Sequence, residues 1–127
     1  MTVTVTGLPA AMQGLHEALA ASRRPGAPLA NWRWVVRQRM AVLRDALVTE
    51  AGSGVNGWTA AREGTVLRER NALLARMSSL GPQVLESADA DRVRDDLDRL
   101  LADVARHVQR VNDLAYDEVE LELGGSE

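Results

Sequence analysis

The sequence predicts an all-α protein, an up-down-up-down four-helix bundle, and three observations carry that expectation. Apolar residues recur in steps of three and four along four separate segments, each long enough for a helix. Gly- or Pro-containing stretches separate those segments. Phe is absent and only 3% of the 127 residues are aromatic, although 46% are hydrophobic, so Leu, Val, Ala and Met must fill the core, a palette that suits helix-on-helix packing. Bundles of this kind cross at about 20°. The length fits one domain, read as a flexible tail over residues 1–7, the bundle over 8–123 and a short tail over 124–127.

The opening TVTVT alternates with period two and is read as an extended tail or one short strand. A first helix from Pro9 to about Arg24 places Leu8, Met12, Leu15 and Leu19 on one face, with Pro in its first turn. The RPGAP segment ends it. Asn31 is read as the N-cap of a second helix, whose stripe is Trp32, Val36, Met40, Leu43 and Leu47 and which ends near Glu50. AGSGVNG then makes a loop. The third helix runs from about Trp58 to Leu80, with Leu67, Leu74 and Met77 inward, and Gly81-Pro82 is read as its stop. The fourth starts near Asp89, where acidic residues favour the helix dipole, and carries Val93, Leu97, Leu100, Val104, Val111 and Leu114. EVELEL beyond Tyr116 either prolongs this helix or turns to a strand. Trp32, Trp34 and Trp58, all near helix starts, are read as packing at the bundle ends.

Composition excludes several function classes. A net charge of −3 with no basic run argues against a nucleic-acid partner. No Cys is present, which removes disulfides, thiolate metal sites and cysteine nucleophiles. No stretch reaches the roughly 18 apolar residues of a membrane span and the start lacks a signal-peptide pattern, so no membrane and a cytoplasmic location are expected. The phosphate loop, the nucleophile elbow and the zinc-protease pair of histidines are missing too, and the chain is read as more a binding protein than an enzyme.

What could carry chemistry is a set of polar residues on or beside apolar stripes: His16 at the flank of the first, Glu50 on the second, Asn71 on the third and His107 in the fourth. Buried polar groups are costly unless they are paired or hold a ligand. The plain reading makes His107 a hydrogen-bonded core histidine, places Glu50 at the wet end of the bundle or beside an arginine, and lets Asn71 bridge His107 or Glu50 without a metal. The run ADADRVRDDLDR is a solvated helix face.

The segments GLHEAL, NWRWVVRQRMAVLRDAL, LRERNALLARM and above all RHVQRVNDLAYDEVELELGG resemble the hemerythrin-like (HHE cation-binding) family, in its actinobacterial branch. That resemblance implies a four-helix bundle holding non-haem iron between His and carboxylate side chains. It places the family's first- and fourth-helix histidines at His16 and His107, with Asp113 as the companion carboxylate. Glu50 stands where a second-helix histidine is expected, Val55 where a carboxylate follows, and Asn71 where the third helix carries a histidine. The ligand set is therefore incomplete, and His107 and Asp113, six apart, sit about 120° apart on a regular helix.

Three readings follow. The first is a hemerythrin-like bundle with a degenerate metal site and no cofactor, a binding or structural protein, in some form a homodimer. The second is a protein holding iron or another divalent metal through His16, Glu50, His107 and Asp113, with Asn71 behind them and an oxygen- or redox-linked role. The third is a helical protein-protein interaction module.

Overall fold

A computed structural model describes the backbone of residues 7–51 and 60–125 and the side chains of residues 7–49 and 64–114. It contains four helices, α1 (Leu8–Ser22), α2 (Leu29–Ala51), α3 (Ala60–Glu86) and α4 (Ala90–Gly125), and no strand among the described residues. The TVTVT segment, most of AGSGVNG and Trp58 lie outside them. The alternating 119–123 segment is helical, the last part of α4.

Helix order around the ring follows the chain. α1 packs on α2, α2 on α3, α3 on α4, and α4 returns to α1 along the sparsest seam, with no diagonal pairing among the described residues. Cross-helix contacts show each neighbour running antiparallel to the last: Arg33 near the start of α2 meets Val84 near the end of α3, Arg76 of α3 meets Asp103 of α4, and Arg23 just past α1 meets Asp95 early in α4. One end of the bundle, the closed end, thus gathers the α1–α2 and α3–α4 connections. The other, the far end, gathers the start of α1, the end of α2, the start of α3 and the later turns of α4.

Local sequence explains the helix ends. Pro9 occupies the first turn of α1, where its missing N–H costs nothing. Gly26, at φ 81, turns the α1–α2 connection in the left-handed region that a side chain would disfavour. Asp89 caps α4, its Oδ1 accepting from the backbone N–H of Arg92 at 3.1 Å. α2 starts earlier than expected: the Trp32 N–H already donates to the Pro28 carbonyl at 3.1 Å, so Pro28 and not Asn31 precedes the first turn.

The larger departure is α3, which runs through Gly81-Pro82 to Glu86. Pro82 removes one N–H from the ladder, but its ring faces solvent while Leu80 and Val84 on either side are buried. Arg33 then secures the last turn, donating to the carbonyls of Val84 at 3.2 Å and Ser87 at 2.5 Å. Burying Val84 and satisfying those terminal carbonyls outweighs one lost backbone bond.

The core row of α2 is the expected one, Trp32, Val36, Met40, Leu43 and Leu47, and α4 buries Val93, Leu97, Leu100, Val104 and His107. α3 is turned by one position: Val66, Leu73, Met77, Leu80 and Val84 are buried, while Leu67 and Leu74 are half-buried. At the closed end Trp32 is roofed by Arg94, whose guanidinium carbon lies 4.4 Å from the ring centroid. Arg94 also donates to the hydroxyl and the carbonyl of the buried Ser22, at 3.0 and 3.2 Å. Trp34 does not pack as expected; it is 59% exposed.

Candidate functional site

His107 is 3% exposed and faces α3 from the inward row of α4. Its Nδ1–H donates to Glu69 Oε1 at 2.6 Å. Arg110, one turn later on α4, donates to the other carboxylate oxygen of Glu69. One carboxylate from α3 therefore bridges an imidazole and a guanidinium of α4, and both of its oxygens are engaged. Glu69 is itself partly buried, which strengthens both bonds. Next to Glu69, Arg70 keeps its Nε buried without a hydrogen-bond partner. The far end of the bundle thus carries a polar cluster in an otherwise apolar core.

The other expected site residues scatter. His16 is exposed and lines a groove of about 690 Å³ between α1 and α4, beside Met12, Gln13, Leu101 and Val108. Asp113 is exposed and accepts from Gln109 of its own helix at 2.9 Å. Asn71 is exposed too, a correction to the inward placement expected of it, because the one-position turn of α3 carries it outward with Arg68 and brings Glu69 toward the core. The side chain of Glu50 lies outside the described residues.

Glu69 and Arg110 are the members that sequence reasoning missed. Arg110 has a local signal, since it lies three residues after His107 and so on the same side of α4. Glu69 lies 38 residues from His107, a separation to which helical periodicity gives no weight. Its one hint is its place three residues after Val66 and four before Leu73, beside the buried row.

The Glu69–His107–Arg110 cluster does not fit the non-haem metal that the resemblance implies. A cation seeking Glu69 would have to displace the Arg110 guanidinium. Among the described residues no three of His, Asp and Glu converge as ligands. Nor is any described helix long and apolar enough to cross a membrane. Compared with known proteins, the chain matches no family model, no curated protein and no solved structure.

Proposed function

We propose that this chain is a non-enzymatic binding or structural protein of hemerythrin-like descent whose metal centre has decayed, with the Glu69–His107–Arg110 cluster standing where the metal would be. The carrying observation is the guanidinium of Arg110 on the second oxygen of Glu69. In a working metal site a ligand carboxylate spends its charge on the cation. Here the protein supplies the positive charge itself, and the imidazole is oriented by the same carboxylate. The ring of antiparallel helices with an inward histidine on α4 agrees with the descent.

The test is metal analysis of protein expressed with added iron, combined with thermal melts before and after chelation. No stoichiometric metal and an unchanged melting temperature are expected, since only a metal held by the native state raises that temperature. Stoichiometric iron that is lost in His107→Ala would restore the reading of a divalent-metal protein with an oxygen- or redox-linked role. The interaction-module reading is favoured by a separate feature, the exposure of Trp34 and Val48 on α2.

A further inference from the structure

The seam between α3 and α4 carries a ladder of charge. On α4 the residues Arg92, Asp96, Arg99, Asp103 and Arg106 step by four, three, four and three along one edge, and Arg76 reaches them from α3. Asp96 takes Arg92 on one carboxylate oxygen at 3.0 Å and Arg99 on the other at 3.2 Å. Asp103 likewise takes Arg76 on one oxygen and Arg106 on the other. Four guanidinium groups thus meet two carboxylates, which leaves the seam two positive charges in surplus, in a chain whose net charge is −3. The carboxylates also lie deeper: the side chains of Asp96 and Asp103 are 27% and 29% exposed, those of Arg99 and Arg106 74% and 67%. An ion arriving from solvent meets guanidinium first. The flank of α4 toward α1 is sorted the opposite way, with Asp95 and Asp98 sharing the single guanidinium of Arg23.

We propose that the pocket set in this seam, of about 310 Å³ and lined by Arg76, Ser79, Leu80, Gln83, Asp96 and Arg99, binds the phosphate dianion of a small phosphorylated molecule. Arg76 and Arg99 each spend one nitrogen on a carboxylate, and a guanidinium offers further N–H donors in a fork that matches phosphate oxygens. Those ion pairs are partly solvated, so an arriving dianion competes with weak bonds. Asp96, the acid in the lining, has both oxygens engaged by arginines and is neutralised by them. Gln83 is held in place, its Oε1 accepting from Arg92 at 3.0 Å and its Nε2 donating to the Ser79 carbonyl at 3.1 Å; the second N–H of that amide and the Ser79 hydroxyl add neutral donors. Leu80 supplies an apolar wall for the organic remainder. A surplus of two charges matches a phosphate monoester, which carries about −2 near neutral pH. It falls short of the concentrated excess that a nucleic acid needs, and the volume lies at the small end of ligand pockets. Glu86 of α3 stands seven residues beyond Ser79, about 10.5 Å along the axis, roughly the distance over which salt screens a charge.

The test is titration of the whole chain, labelled with nitrogen-15, with glycerol 3-phosphate at constant ionic strength, following amide resonances. Saturable shifts centred on residues 76–83 and 96–103 are expected, with a Kd of about 1 mM or below. Arg76→Gln and Arg99→Gln are each expected to raise that Kd about tenfold, since each removes one charged fork. Arg23→Gln, whose guanidinium serves the opposite flank of α4, is expected to leave it unchanged. Acetate, a monoanion, is expected to bind at least about tenfold more weakly. Shifts that grow linearly without saturating, or that spread evenly over every arginine-bearing surface, overturn the proposal. So does an Arg99→Gln protein that keeps the wild-type Kd, or acetate binding as tightly as the phosphate. Vesicles of phosphatidic acid present the same group on a lipid surface; protein that sediments with them and gives no saturable response to glycerol 3-phosphate overturns the assignment to a soluble molecule. Arg99 is exposed, so its variant keeps the helical circular dichroism spectrum and the comparison stands. No readout involves a metal or the Glu69–His107–Arg110 cluster, so failure here and failure of the proposed function are told apart.

Discussion

The two ends of this bundle use the same residue type in opposite ways. At the closed end, arginines terminate secondary structure. Arg33 takes up the carbonyls of Val84 and Ser87, and Arg94 takes up Ser22 while roofing Trp32. Their charges stay near the surface of an apolar core formed by Val36, Val84, Val93 and Leu97. At the far end the polar groups enter the core row itself. His107 replaces an aliphatic side chain, and its charge partners, Glu69 and Arg110, satisfy one another across α3 and α4. A guanidinium that donates to backbone carbonyls satisfies acceptors that a helix end otherwise leaves without a partner. A buried cluster that satisfies itself mainly avoids a penalty. Stability is therefore expected to reside at the closed end, and specificity of helix pairing at the far end.

Four substitutions would break or sharpen that contrast. The largest effect is expected from Trp32→Ala, which empties the centre of the closed end and strips Arg94 of its aromatic platform; a loss of about 3–5 kcal/mol in chemical denaturation is the expectation, and a loss below about 1 kcal/mol would show that the closed end is not the stable one. Next comes a pair at the far end. Glu69→Ala leaves the His107 imidazole buried without its acceptor and should cost about 1–3 kcal/mol. His107→Leu keeps the volume while Glu69 remains paired with Arg110, and should be within about 1 kcal/mol of wild type or more stable. Equal losses in the two variants would mean that the imidazole contributes net stability and would erase the distinction. The smallest effect belongs to Arg76→Ala. Its ion pair with Asp103 is half-solvated, and Asp103 keeps Arg106, so a change under about 1 kcal/mol is expected by the same denaturation.

The parts of the fold that were legible were those with one unambiguous stripe. Along α4 a single apolar row leaves only one orientation, and along α2 the five-residue row from Trp32 to Leu47 outweighs the scattered apolar residues outside it, so Met40, Leu43, Leu97 and Leu100 are buried as expected. α3 was legible as a helix but not in its rotation. Val66-Leu67 and Leu73-Leu74 are adjacent apolar pairs, and either member of each pair continues a three-four rhythm. Packing against α2 and α4 chose Val66 and Leu73, and that choice moved Asn71 out of the site and Glu69 into it. Pro82 misled for a related reason: local propensity disfavours it within a helix, but the tertiary contacts of Val84 and Arg33 are stronger. At the candidate site, His107 was visible because it interrupts an apolar row. The carboxylate that answers it comes from another helix, where no periodicity in the sequence points to it.

One consequence follows from how the ring is closed. Three of the four helix pairings join neighbours along the chain, and only α1 with α4 spans the molecule. The clasp from Arg94 to Ser22, with Arg23 reaching Asp98 at 2.9 Å, bridges 72 residues or more, and it sits wholly at one extremity of α1. Toward Leu8 that seam is held by sparse apolar contact beside an open groove. Partial opening should therefore begin there, with α4 and α1 parting from the first turn of α1 toward the clasp while α1 stays on α2, the neighbour against which it packs most extensively.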